Sequence, residues 1–209
     1  MNGFFLIALL SYFIGSIPSG YLIARLAGID IRQQGSGNIG ATNVTRVLGK
    51  AYGYPAFLAD FSKGLCAVLL APIIGRSCGL TQSPELFQII AGACVVLGNA
   101  FPVWLRFRGG KGVATSAGML FGLMASAAVV CIIIWVIMFY ATRYVSLASI
   151  AAAVALPVAV FVITHITGTP RPLVLYVSAG LAFIVILRHR SNLSRLMRGT
   201  EERVKRRED

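Results

Sequence analysis

Apolar runs near 20 residues long recur along this chain of 209 residues, over roughly 4–27, 52–75, 86–105, 144–166 and 172–187. Each is long enough for an α-helix to cross the ~30 Å hydrocarbon core of a bilayer. There a helix or a closed barrel is the only way a backbone can satisfy its own hydrogen bonds. Hydrophobic residues are 57% of the sequence and charged residues 12%, about half the usual share for a water-soluble domain. That composition excludes a cytosolic globular enzyme, a disordered tail and a secreted disulfide scaffold. The expected fold is all-α and integral to the membrane. It is a polytopic bundle of about seven transmembrane helices, some of them short, forming one domain over 1–209.

The remaining charge sets the orientation. Nineteen Lys and Arg against seven Asp and Glu give a net charge of +12. Such an excess could serve nucleic acid, but it lies in short loops beside apolar runs and in the segment after Leu187. There it selects the cytoplasmic side and suits anionic lipid head groups, so the expected partner is membrane lipid and not nucleic acid. The stretch 113–141 decides the span count. As one helix it would be about 43 Å long, and as two it would turn at the small residues around Gly122 to Ser126. With the loop 28–51 cytoplasmic, 106–112 falls on the same side. Two short spans then bring 142–149 and the tail from Arg188 to Arg207 inside as well. Sixteen basic residues lie inside in that arrangement, against Arg76 and Arg171 outside. The reading is therefore seven spans with the N-terminus outside and the C-terminus cytoplasmic, with six spans as the alternative.

Several features have plain structural readings. The first apolar run lacks a basic flank and an A-x-A site, so a retained span is expected instead of a cleaved signal. Cys66, Cys78, Cys94 and Cys131 form no CxxC pair and read as small apolar side chains. Asp60 and Lys63, three residues apart inside a span, read as a structural ion pair. Gly15-Ser16-Ile17-Pro18-Ser19-Gly20 reads as a kink with close helix packing.

Three polar islands interrupt the apolar pattern. The first is Gly35-Ser36-Gly37-Asn38-Ile39-Gly40-Ala41-Thr42-Asn43, with Arg46 following. Glycines let backbone N–H groups converge on an anion, Ser36 and Thr42 add hydroxyls, and Arg46 can fork onto a phosphate. A glycine-rich helix connection is the plainer reading. The second is Arg106-Phe107-Arg108-Gly109-Gly110-Lys111-Gly112-Val113-Ala114-Thr115, preceded by Asn99, Phe101, Pro102 and Trp104. It fails the nucleotide-binding Walker pattern, because Gly112 follows Lys111 where Ser or Thr is required. What remains are backbone donors and one ammonium at a helix start, suited to a phosphate monoester; the plainer reading is a positive-inside loop. The third is Arg188-His189-Arg190-Ser191-Asn192-Leu193-Ser194-Arg195, then Gly199-Thr200-Glu201. On one helix His189, Asn192 and Leu193 would share a face. His189 could act as a general base, or sit as an interfacial histidine among arginines. The topology puts all three islands on one face, together with Arg143, Ser146 and Ser149 from 142–149. Donors and cations with almost no carboxylates call for an anionic ligand.

At these residues the sequence resembles the bacterial acyl-phosphate-dependent glycerol-3-phosphate acyltransferases, the PlsY family. The motifs that carry the resemblance are GSGNIGATN…R over 35–46, GNAFPVWLRFRGGKGVAT over 98–115 and RHRSNLSRL…GTE over 188–201. Ile39 stands where the family often has proline. The resemblance implies transfer of a fatty acyl group from acyl phosphate to the 1-hydroxyl of sn-glycerol 3-phosphate, the first acylation of phospholipid synthesis. The products would be lysophosphatidic acid and inorganic phosphate, made at the cytoplasmic face of the bacterial inner membrane. By the same resemblance Ser36, Arg46, Lys111, His189 and Asn192 are the expected catalytic residues. Gly37, Asn38, Thr42, Asn43, Gly109, Gly110, Gly112, Ser146 and Ser149 are the expected substrate contacts, and Glu201 is structural. Neither metal, nucleotide nor other cofactor is expected.

The chemistry agrees with the residues. Acyl phosphate is already activated, so no protein nucleophile is required, and no Ser-His-Asp set or H-x₄-D signature is visible. Two phosphate-bearing substrates must instead be held together by cations and backbone donors. Either His189 or a substrate phosphate oxygen could take the hydroxyl proton. An organophosphate transporter is the alternative from another class, and it would need polar, broken helices at the midplane. A lipid-binding scaffold would explain the basic tail but leave the first island without a role.

Overall fold

The computed structural model describes residues 3–204, and every regular element among them is helical. Lys205, Arg206 and Arg207, counted above in the charge of the tail, lie outside the described residues. The chain divides between Leu123 and Met124 into two compact units. The first holds α1 (Gly3–Ser16), α2 (Ser19–Leu26), a 3₁₀ turn (Ile31–Gln33), α3 (Ala41–Leu48), α4 (Lys50–Ser77), α5 (Pro84–Ala100), a second 3₁₀ turn (Val103–Leu105) and the start of α6 (Val113–Thr142). The second holds the rest of α6, then α7 (Val145–Ile166), α8 (Pro172–Arg188) and α9 (Arg190–Met197).

Helix α4 shows why this chain needs a membrane. Its buried positions Gly53, Ala56, Asp60, Lys63, Gly64, Ala67, Val68, Ala71 and Gly75 follow one helical face, and all but the charged pair and Val68 are Gly or Ala. Leu58, Leu69 and Ile73 are each more than half exposed. Small residues inward and large apolar residues outward is the pattern of a helix packed among helices in lipid, where close backbone approach replaces the hydrophobic drive. Two crossings in the first unit depend on it. A Cβ at Gly15 would run into the Val95 carbonyl oxygen, and one at Gly98 into that of Tyr12, so α1 and α5 touch backbone to backbone. Gly64 faces the Thr115 carbonyl and Gly118 the Phe61 carbonyl in the same manner, joining α4 to the start of α6.

Pro18 breaks the first span as expected. It disfavours the helical conformation at Ile17 and brings no N–H of its own, so α1 stops at Ser16 and α2 restarts at Ser19. The helix α6 leaves helical geometry at Met124 (φ −157°, ψ 80°), inside the Gly122 to Ser126 segment where a turn is expected from sequence.

The span count differs from the seven read from charge. Among the described residues five stretches are long and apolar enough to cross a bilayer: Gly3–Leu26, Lys50–Ser77, Pro84–Leu105, Val113–Thr142 and Val145–Ile166. A sixth is reached by taking α8 and α9, bent by 55°, as one span. The difference from seven lies at α6, which counts once despite its break.

Candidate active site

The first island folds around Asn43. This side chain is buried in the first turn of α3, and its Oδ1 accepts the Ser36 N–H at 2.9 Å. Its Nδ2 points to the carbonyls of Asn38 (2.9 Å), Gln34 (3.0 Å) and Ile31 (3.3 Å). Asn43 is thus the internal tie of the loop, its polar atoms spent on the backbone it organises. Asn38 acts similarly, its Oδ1 accepting the Gly40 N–H at 2.8 Å. Gly35 and Gly37 take positive φ (57° and 69°), and a Cβ at Gly35 would meet Asn43 Oδ1. Ser36, Thr42 and Arg46 are exposed on this folded loop. Just upstream, Asp30 accepts from Arg32 Nε at 2.9 Å and from its terminal nitrogen at 2.6 Å. The side-chain hydrogen bonding from Arg32 lowers the Asp30 carboxyl to about 2.

The second island is seated on Asn99, the penultimate residue of α5. The Gly110 N–H donates to the Asn99 carbonyl at 3.0 Å. A Cβ at Gly109 would run into that carbonyl and Pro102. Gly112 has φ of 78°, and its carbonyl accepts the Ser116 N–H at 2.7 Å as α6 begins. Lys111, between these glycines, is half-buried. Arg106 and Phe107 also take positive φ (52° and 61°), with the Phe107 N–H returning to Pro102 O at 2.9 Å. That turn sets Arg106 and Arg108 with Arg32, Trp104 and Leu105 around a cavity of about 360 Å³. Leu105 packs on the Ile31, Ile39 and Val44 core, so the first two islands meet within the first unit.

The third island, in the second unit, converges on Glu201. Its Oε1 accepts from Asn192 Nδ2 at 2.6 Å and from Ser146 Oγ at 2.7 Å, and its Oε2 accepts from Arg195 Nε at 2.7 Å. Burial raises this carboxyl, and the hydrogen bonds from Asn192, Ser146 and Arg195 outweigh it, leaving a net lowering. Gly199 (φ 69°) ends α9 and turns the chain back, with the Thr200 N–H returning to Arg195 O at 2.9 Å. That reversal brings Glu201 to Asn192. His189 lies at the joint of α8 and α9 and not within one straight helix, and it is buried. Its Nδ1 is 2.7 Å from the Val185 carbonyl. A carbonyl only accepts, so Nδ1 carries a proton. Ser149 stands apart: its Oγ donates to Val145 O at 2.8 Å and accepts from Trp135 Nε1 at 3.2 Å.

Sequence reasoning left one feature unlinked to the site. The ion pair of Lys63 and Asp60 forms at 2.8 Å, and Lys63 Nζ also donates to Asn99 Oδ1 at 2.8 Å and Ile17 O at 2.9 Å. No local spacing reveals contacts across 36 and 46 residues. Among the described residues no group of three His, Cys, Asp or Glu could hold a metal ion.

The glycerol-3-phosphate acyltransferase family model matches residues 5–199. A glycerol-3-phosphate acyltransferase of Aquifex aeolicus is 41% identical over 203 residues, covering 97% of this chain and all of that protein. One of Desulforudis audaxviator is 45% identical over 195 residues, covering 93% and 92%. The crystal structure of PlsY, an integral membrane glycerol 3-phosphate acyltransferase, in its glycerol 3-phosphate form superimposes with a TM-score of 0.84 at 39% identity. That likeness covers 98% of this chain and 96% of the PlsY chain. The form with lysophosphatidic acid gives 0.82 at the same identity and coverage. With matches over nearly its whole length, this chain belongs to the glycerol-3-phosphate acyltransferase family.

Proposed function

We propose that the protein moves a fatty acyl group from acyl phosphate to the 1-hydroxyl of sn-glycerol 3-phosphate, releasing lysophosphatidic acid and inorganic phosphate. A bond forms between the hydroxyl oxygen and the acyl carbon, and the bond from that carbon to the phosphate oxygen breaks. The hydroxyl proton passes to His189 Nε2 or to a substrate phosphate oxygen. Neither cofactor nor metal enters this balance, because the mixed anhydride carries its own activation.

The loop Gly109–Gly112 holds the phosphate of glycerol 3-phosphate. The observation that carries this reading is its construction: glycine backbone folded onto Asn99 around Lys111, opening directly into α6. Ser36, Thr42 and Arg46 meet the second phosphate, with Gly37 giving the backbone room. His189 and Asn192 orient or activate the acceptor, and Glu201, itself held by Ser146 and Arg195, keeps Asn192 in place. Asn38 and Asn43 serve the substrate indirectly, by shaping the first loop. Ser149 keeps its place on α7 through Val145 and Trp135.

The whole chain acts as one acyltransferase domain in the bacterial cytoplasmic membrane. It crosses seven times, with the N-terminus outside and the site facing the cytoplasm. Support comes from the distribution of Lys and Arg and from the loss of helical geometry at Met124, where two short crossings over 113–142 would turn.

The test is reconstitution from purified parts. The protein in detergent receives palmitoyl phosphate and sn-glycerol 3-phosphate without ATP or added metal. Phosphate and lysophosphatidic acid should appear in equal amounts, and Lys111→Ala should abolish both. Well-folded protein that yields no lysophosphatidic acid overturns the reading.

A further inference from the structure

The buried charges of α4 reach the glycine loop through a single side chain. Asn99 is 6% exposed. Its Oδ1 is taken by the Lys63 ammonium at 2.8 Å, and its backbone carbonyl by the Gly110 N–H at 3.0 Å. Lysine can only donate, so the carboxamide is fixed with oxygen towards Lys63 and nitrogen away from it. The nitrogen faces the loop: a methyl at Gly110 would sit 3.1 Å from Asn99 Nδ2. Among the described residues Nδ2 makes no hydrogen bond, although the rest of the side chain is fully engaged.

Lys63 is itself locked from three sides. It pairs with Asp60 at 2.8 Å and donates to the Ile17 carbonyl at the α1–α2 break as well as to Asn99. A buried ammonium with fixed partners polarises the amide it touches and strengthens the opposite N–H as a donor. Burying an ion pair is a poor way to gain stability. Here it leaves one activated, nearly buried donor aimed at the loop.

We propose that Asn99 donates from Nδ2 to the phosphate of glycerol 3-phosphate, and that Lys63, held by Asp60, is the positioning residue that aims it. This rests on the reading that Gly109–Gly112 holds that phosphate. Gly110 has no side chain because one would stand between the donor and the loop.

Asn99→Asp tests it with little disturbance. The carboxylate still accepts from Lys63, but the donor becomes an acceptor. The expected result is a rise of about tenfold or more in KM for glycerol 3-phosphate, the loss of one hydrogen bond to a charged group. The melting temperature should hold, kcat should stay within about threefold, and KM for acyl phosphate should be unchanged. Lys63→Met should raise the same KM, and Lys111→Ala serves as the reference for the loop. KM unchanged in Asn99→Asp but raised in Lys111→Ala overturns the inference and leaves the loop reading standing. KM unchanged in both overturns the loop reading and the inference with it. A fall in kcat alone also overturns the inference. If Asn99→Asp does not yield folded protein, Asn99→Ser carries the same comparison with the same outcomes.

Discussion

Asn192 donates to Glu201 Oε1 at 2.6 Å, so the residue that ends the third motif fixes the amide at its centre. The carboxylate takes three donors: Asn192 and Ser146 on one oxygen and Arg195 on the other. Glutamine has the same shape but one acceptor, so Glu201→Gln must set an N–H against at least one of these donors. The expected cost is about 1–3 kcal/mol of stability. Activity should fall further than stability alone predicts, because the anchor of Asn192 is weakened from a carboxylate to an amide at best. Thermal unfolding in detergent and initial rates on the same preparations check this; equal rates in both proteins count against Glu201 as the anchor.

The same carboxylate gives the protein an acid limit. The folded Glu201 carboxyl is lowered, so its stabilising contribution is complete above the unfolded value near 4.3 and is lost as pH falls through the folded value. Asp30, lowered to about 2, acts in the same sense over a range that reaches down to that value. The melting temperature should therefore be flat above about pH 5 and decline below about pH 4. Glu201→Gln should remove part of that slope and leave the part due to Asp30. A melting temperature that rises on acidification contradicts the assignment.

Glycine at position 118 is a packing requirement. A Cβ there would run into the Phe61 carbonyl, and one at Gly64 into the Thr115 carbonyl, with backbone on both sides of each contact. Backbone cannot swing away as a flexible side chain can, so Gly118→Ala should destabilise by about 1–3 kcal/mol or more. Gly180→Ala, where a Cβ meets nothing within 4 Å, is the matched control and should behave as the parent. Size-exclusion profiles and melting curves of the two variants decide it.

What the sequence disclosed and what it hid divide along chain distance. Local chemistry was legible: Pro18 ended α1 and the small residues near Met124 marked the break in α6. The glycines of the first loop pointed to a tight turn, and Gly35 and Gly37 take positive φ in it. The inward rotation of Asn43 did not show, because an amide in such a loop serves a ligand or the backbone equally well until its partners at Ile31, Gln34 and Asn38 are placed. Lys63 read as half of an ion pair because Asp60 is three residues away, while Asn99 and Ile17 become neighbours only when α4 and α5 pack at the first break. His189 read as one face of a helix, and the 55° bend put it at a joint. Spacing arguments assume a continuous helix and fail where the helix stops.

That joint sharpens the question of the base. Val185 fixes a proton on Nδ1 of His189, so a ring that acts as the base must do so through Nε2. Replacing the ring tests two properties at once, its basicity and its hold on the α8–α9 bend, and two variants separate them. The amide nitrogen of His189→Asn falls where Nδ1 lies, so it can keep the bond to Val185 while removing the base. His189→Gln extends towards the position of Nε2 without basicity there. If His189 takes the proton directly, both variants should lose about 10²–10⁴ in kcat/KM and the acidic limb of the pH–rate profile. His189→Asn should then melt close to the parent. Full activity across pH in His189→Gln assigns the proton to a substrate phosphate oxygen, and His189 becomes a positioning group at the bend.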